Sequence, residues 1–509
     1  MTEFSVVGGW ILFVASVLAA GWSVVAMIAP TLPLWESIGT GFVAGSALLP
    51  FALFAVDAVL RLRDLAYHGD RILALAGALI AIAIITAIAI RRSARQRRAQ
   101  LHSVATRGQH RSRSRGRRVR SRLRQAPWDT VFTIVFALAI AAFFAEVVRG
   151  AVAPLFGWDE YSYWLYAAKV LSLHGGAIRA LRHYDYGSYP PAFPYLCAWL
   201  YQLLGYISIH AARFVTPILV LFLLLAIHRA LVRLGLRTVH ATMAVAMIAW
   251  GTSSFYWYTV LAFGEMAFVA VYALALLYLA AWWMSARRQD PHARSDWRLF
   301  ALFFGLSGFL RVDGLYIECM TVVIVAVFLA MRKDPRPRLR QWLELAVLGL
   351  VPPLSWYAYR ALAHVRAGWV TRISLQTLAK RLEPPFVTQV LAAMWHDLSS
   401  LQTYPIMLVL VLTIIAALIT RNRLSLLLCT VAVFQAIYLF VAYVTVFTAF
   451  EAVHASSLDR YMLRDDPLTA IACALLFLPT ISPGTRREKR RPGSRRRRPS
   501  ESGERLHEG

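Results

Sequence analysis

Runs of about 20 apolar residues recur along almost the whole chain, the length a helix needs to cross the hydrocarbon core of a bilayer. Composition agrees: 59% of the 509 residues are hydrophobic and 16% charged, against roughly 45–50% and 25% in a soluble globular domain. The runs are too many for a signal peptide plus one anchor, so the reading is an all-α, polytopic membrane protein. Segment 6–29 lacks a basic leading region and further apolar runs follow at once, which favours a retained helix. The four cysteines, Cys197, Cys319, Cys429 and Cys473, have no metal or redox spacing and read as small packing residues.

A net charge of +27 raises the question of nucleic acid, but the charge is localised. Residues 91–124 hold 14 arginines and no acid, and "TRREKRRPGSRRRRPSESGERLHEG" at the end holds ten lysines and arginines. Neither segment has the aromatic platforms that single-stranded nucleic acid requires, so no nucleic acid is expected. Both abut apolar runs, as cytoplasmic segments do that set topology and touch anionic lipid.

With both basic segments inside, the spans read 130–149, 212–232, 238–257, 262–284, 298–312, 314–331, 341–362, 404–420, 424–448 and 467–482. The parity closes only if 190–205, with its three prolines and many aromatics, lies in the interface instead of spanning. The expected organisation is N-terminal transmembrane helices over 1–90, a basic, disordered cytoplasmic linker over 91–126, a membrane domain over 127–482 with an outer loop at 150–211, and a basic, disordered cytoplasmic tail over 483–509. The N-terminal part offers runs 6–29, 39–60 and 72–90 and reads as an appended bundle. Counting back puts Arg61, Arg63 and Arg71 outside, against the positive-inside rule. Asp57 in that bundle has no evident partner in sequence.

Within the outer loop, "FGWDEYSYWLYAAKVLSLHGG" puts Asp159 and Glu160 among aromatics. One reading makes Asp159 the cap of a helix that Gly175 and Gly176 end. The other makes the acidic pair a proton acceptor over a cavity open to lipid and water. The two are compatible. Histidines 183, 210, 364, 396 and 454 lack ligand spacing, so no protein-bound metal is expected, although carboxylates could still recruit a divalent cation.

The order of an apolar span, "WDE", an amphipathic helix with Lys169, "SYPPAFPYLCAWLYQLLG" and "HAARFVTPIL" resembles the GT-C superfamily of polyprenol-dependent membrane glycosyltransferases. It is similar to bacterial relatives of protein O-mannosyltransferases and lipid A aminoarabinose transferases. "GLSGFLRVDGLYIE" and "SSLDRYMLRDDPL" resemble the family's two arginine-bearing stretches, and the likeness covers roughly 127–482. Tyr189 stands where the aminoarabinose enzymes carry lysine. The resemblance implies a GT-C-like bundle of about ten spans with amphipathic helices in a large first outer loop, preceded by about three extra spans. It implies a cytoplasmic (inner) membrane location with the site facing outside. The activity it implies is inverting transfer of a sugar from a polyprenyl-phosphate donor to a glycan, lipid or protein acceptor.

On that reading Asp159 is the base and Glu160 its helper, and the donor phosphate is held by Arg311, Lys169, Arg460 and Arg213. Tyr189, Glu265, Asp313 and Tyr461 line the cavity, with two alternatives open: Glu265 hydrogen-bonded to a neighbouring helix, and Arg311 with Asp313 as a purely structural pair at a span end. Two other classes compete. A transporter or flippase of a lipid-linked or polar glycan would show two similar halves with matching broken helices, and a scaffold would show no outward carboxylate site.

Overall fold

The computed structural model describes residues 3–62, 127–154, 157, 159–174, 189–330, 336–364, 374–400 and 404–478, with a few single positions between 80 and 91. The two arginine-rich segments, most of the third N-terminal run, and Gly175 and Gly176 lie outside the described residues.

Every element among the described residues is helical. The order begins α1 (Glu3–Ile28), α2 (Leu34–Leu62) and α3 (Pro127–Ala151), then a π-helical turn Glu160–Trp164 that continues as α4 (Leu165–His174). It goes on through α5 (Ala192–Leu204), α6 (Ile209–Arg213), α7 (Val215–Leu234), α8 (Thr238–Trp250), α9 (Ser253–Val260) and α10 (Gly264–Arg288). Next come α11 (Ala293–Leu310), α12 (Gly314–Ala330), α13 (Leu339–Leu362), α14 (Leu375–Arg381) and α15 (Pro384–Leu398). The last are α16 (Pro405–Thr420), α17 (Arg423–Thr445), α18 (Ala449–Val453), α19 (Leu458–Met462) and α20 (Asp465–Leu475).

Among the described residues six helices are long and apolar enough to cross a membrane: α1, α2, α3, α6 running into α7, α10 and α17; α8, α12 and α16 are shorter apolar helices. The chain is a multi-pass, membrane-embedded α-helical protein. Phe132, Ile134 and Leu138 on α3 and Leu412, Ile415 and Ile419 on α16 are exposed, as side chains facing lipid are. By contrast α10 is apolar on all sides and buried from Gly264 to Ser285, the pattern of a core helix. It packs against α2, α7, α11 and α20, and its first turn carries Glu265.

Two expected spans differ in form. The 238–257 run is broken at Gly251 and Thr252 into α8 and α9, because Thr252 turns extended and caps α9 by accepting from Phe255 N–H. The last helix stops at Leu475. The 190–205 segment forms α5, whose 13 residues give about 20 Å of helix, short of the roughly 30 Å core. It does not lie at an open interface, however. Nearly every residue is buried, because α1 and α2 pack over it.

The N-terminal pair belongs to the same compact unit as the rest of residues 1–477. Small residues bring α1 and α2 together: a Cβ on Gly21 would land on backbone atoms of Gly41 and Gly45, a close crossing of the kind G-x-x-x-G spacing allows. Polar contacts then join α2 to the body. Arg233 Nε donates to Glu36 Oε1 at 2.9 Å and its Nη2 reaches Asp296 Oδ1 at 3.0 Å, while Tyr278 OH donates to Glu36. Asp57 has a partner after all, the Tyr195 hydroxyl of α5 at 2.7 Å.

Candidate functional site

Four separated stretches meet at the N-terminal end of α10. The first is the turn at Asp159. Asp159 is itself helical, at φ −64° and ψ −24°, and its side chain makes no cap hydrogen bond, so the capping reading does not hold. The carboxylate turns away from the helix instead, and its Oδ2 accepts from Arg460 Nη1 at 2.6 Å. Among the described residues Oδ1 has no partner, and 31% of the side chain is exposed.

Leu261–Phe263 is extended before α10, which sets Glu265 beneath Asp159. Glu265 is 2% exposed, and its Oε1 receives Arg460 Nε and Nη2, both at 2.5 Å. The Arg460 fork is thus fully engaged by two carboxylates. Arg311 leaves the end of α11 in an extended conformation and donates from Nε to Asp313 Oδ1 at 2.7 Å. Its Nη1 lies 3.8 Å from Glu265, and its guanidinium sits 4.8 Å from the centre of the Tyr461 ring. Burial pushes the Asp313 carboxyl up, but Arg311 and Arg464 beside it more than offset this and hold it below the usual carboxylate range. Tyr189 packs its ring 5.4 Å from Tyr163 and 5.8 Å from Trp164, with Tyr461, Arg460 and Arg311 as electrostatic neighbours. Burial raises its hydroxyl further above the usual tyrosine range.

Asp159, Glu265, Arg311, Asp313, Arg460, Tyr461 and Tyr189 therefore come together. Glu160 and Arg213 form a pair of their own. Arg213 Nε lies 2.9 Å from Glu160 Oε1 with both side chains fully buried. Glu160 also accepts the Ala262 N–H at 3.0 Å, and Arg213 is bound by the Ala151 and Ala153 carbonyls. Burial pushes the Glu160 carboxyl up, opposed by the Ala262 N–H and by Arg213. This pair ties the Asp159 turn to the strand-like lead into α10 and to α6. Lys169 is exposed on α4 and makes no polar contact among the described residues.

One site residue escaped the sequence reading. Arg464, one helical turn beyond Arg460, is 3% exposed, and its Nη1 lies 3.6 Å from Asp313 Oδ2. Among the described residues none of its three side-chain nitrogens makes a hydrogen bond, nor does Arg311 Nη2. Buried donors without acceptors are rare, and here both arginines that carry them neighbour Asp313. Asp459 is a second neighbour, with Tyr258 OH donating to it at 3.5 Å; burial pushes its carboxyl up. The loop before α19 holds Ala455 at φ 47° and Ser457 at φ 74°, left-handed conformations uncommon for non-glycine residues.

Three guanidinium groups face Asp159, Glu265 and Asp313, with Asp459 beside them, and among the described residues Glu265 Oε2 and Asp313 Oδ2 also lack hydrogen-bond partners. The unsatisfied N–H groups of Arg311 and Arg464 suit a phosphate. No group of three or more histidine, cysteine, aspartate or glutamate residues among the described residues could hold a metal. Comparison with known families, curated proteins and solved structures finds no match to this chain.

Proposed function

We propose that this chain is a GT-C-type glycosyltransferase with a membrane domain of about ten spans, placed in the cytoplasmic membrane with its site facing outside. It moves a sugar from a polyprenyl-phosphate donor to a hydroxyl-bearing acceptor, with inversion. The acceptor oxygen attacks the anomeric carbon while its proton passes to Asp159 Oδ1. The bond from that carbon to the phosphate oxygen breaks, and its electron pair leaves with the polyprenyl phosphate. Arg460 orients the base, and Arg311 and Arg464 receive the charge that develops on the phosphate.

The observation that supports this best is the juxtaposition of a partly exposed carboxylate, one oxygen unengaged, with buried arginine nitrogens that lack acceptors. A positioned base contributes roughly 10²–10⁴-fold, and a fork donor suits phosphate oxygens better than a point charge. Deleting the gene and profiling lipid-linked sugars tests the reading. Accumulation of one polyprenyl-phosphate sugar is expected, and an unchanged profile contradicts it.

A transporter of a lipid-linked glycan is the second reading. It is favoured by the break between α8 and α9, where Thr252 donates to the buried Asp466 at 2.6 Å, since interrupted helices beside buried acids mark substrate paths. Protein reconstituted in liposomes separates the two: transport moves the glycan with its bond to phosphate intact.

A further inference from the structure

At the far end of α10 from Glu265 a second polar feature has no part in the chemistry above. Glu265 and Arg288 are 23 positions apart on one helix, about 35 Å at 1.5 Å per residue. That length is enough to cross a bilayer core. There, where α10 ends and α11 and α13 begin, a cavity of about 610 Å³ opens, with Trp282 and Ala286 in its lining. Arg294, Arg336, Arg338 and Arg340 also line it, and Asp290 and Glu344 are the acidic residues in the lining among the described residues.

The wall of the cavity around Glu344 is held in place, while the lining arginines reach out from it, Arg294 and Arg340 with more than half of their side chains exposed. Glu344 is the anchor: its Oε1 accepts from Arg298 Nη2 at 2.8 Å and lies 3.5 Å from Arg340 Nε. With Glu344 thus matched, the positive excess falls to Arg336 and Arg338, which are exposed and form no ion pair among the described residues. A preference for positive charge at the cytoplasmic membrane surface explains basic residues there. It does not explain why four arginines surround one concavity lined by a buried tryptophan. Arginine forks match phosphate oxygens, basic pockets between spanning helices take phosphate headgroups, and the volume lies in the usual range for a small-molecule site.

We infer that this cavity binds a phosphate group, carried by an anionic lipid headgroup or by a free phosphate compound, with Arg336 and Arg338 as its principal ligands. The site is independent of the proposed sugar transfer.

The test uses the full-length protein in detergent, beside Arg336→Gln/Arg338→Gln. Native mass spectrometry measures retention of phosphatidylglycerol against phosphatidylcholine, and thermal unfolding in phosphatidylcholine nanodiscs measures stabilisation by inorganic pyrophosphate against chloride at equal ionic strength. The parental protein should favour one phosphate ligand, and the double variant should bind it about tenfold more weakly or worse, since each charge-assisted hydrogen bond lost matters on that scale. Preference for phosphatidylglycerol alone assigns a lipid headgroup, and stabilisation by pyrophosphate assigns a free phosphate. If neither is discriminated from its control, or the double variant binds as well as the parent, the inference is overturned. Should the double variant not fold, Arg336→Lys/Arg338→Lys keeps the charges and loses the forks. Unchanged affinity in that variant likewise overturns the assignment, and a several-fold loss supports it.

Discussion

Arg460 Nη1 lies 2.6 Å from Asp159 Oδ2, joining residues 301 positions apart. The same guanidinium holds Glu265 on its other edge, so one side chain fixes the exposed carboxylate and compensates the buried one. A lysine ammonium cannot span both. Arg460→Lys is therefore expected to lower sugar transfer by about 10²-fold, the scale of a misplaced reacting group. Arg460→Ala, which also strips Glu265 of its nearest counter-charge, should destabilise the fold by about 3–5 kcal/mol. Steady-state kinetics and thermal unfolding on the same preparations check both.

Arg311 and Arg464 carry the nitrogens that lack acceptors, and on the proposed reading these meet the donor phosphate. Arg464→Gln should weaken donor binding by about tenfold, the scale of one charge-assisted hydrogen bond. Arg311→Lys should lower kcat as well, because the fork toward the leaving group is lost. Titration with a polyprenyl-phosphate sugar separates the two effects. Unaltered donor binding in Arg464→Gln assigns that residue to structure.

The Glu160–Arg213 pair predicts the opposite pattern. With both side chains fully buried, Glu160→Gln leaves a charge without its partner and should cost about 3–5 kcal/mol of stability. The double variant Glu160→Gln/Arg213→Met should recover part of that loss, because a buried pair replaced by apolar volume is often tolerated. Thermal unfolding of the two single variants and the double variant gives the coupling directly.

At the α1–α2 crossing, a side chain on Gly45 would strike the Val17 backbone. Gly45→Leu should separate the two helices and uncover α5. Increased protease sensitivity and a lowered Tm, with α1 retained in the membrane, are the expected outcome.

Much of this was legible in sequence because it rests on local signals. Apolar runs of spanning length mark the long helices, and an aspartate or arginine next to such a run stands out against its surroundings. That is how Asp159 stands out and Glu265 is noticed near a span end, whereas Arg311, Asp313 and Arg460 are picked out by the resemblance of their stretches to the family. Pairing is not local. Whether Arg213 faces the cluster or Glu160 depends on how α6 packs beside the Asp159 turn, and nothing in "HAARF" encodes that. The burial of α5 depends likewise on α1 and α2, which precede it by more than a hundred residues. Arg464 was within reach, since its spacing of four from Arg460 places it one helical turn on. The side-chain cap at Asp159 was expected from residue type alone, whereas the competing interaction with Arg460 comes from the far end of the chain.

The central claim is that Asp159 accepts the acceptor's proton, and Asp159→Asn isolates it. Asparagine keeps an oxygen that can accept from Arg460, at the same size, while losing the basicity that proton transfer needs. Sugar transfer from a polyprenyl-phosphate donor, measured beside donor affinity and thermal stability, should fall by about 10²–10⁴-fold with the other two quantities little changed. Transfer at the parental rate in a stable, donor-binding Asp159→Asn protein would contradict the account.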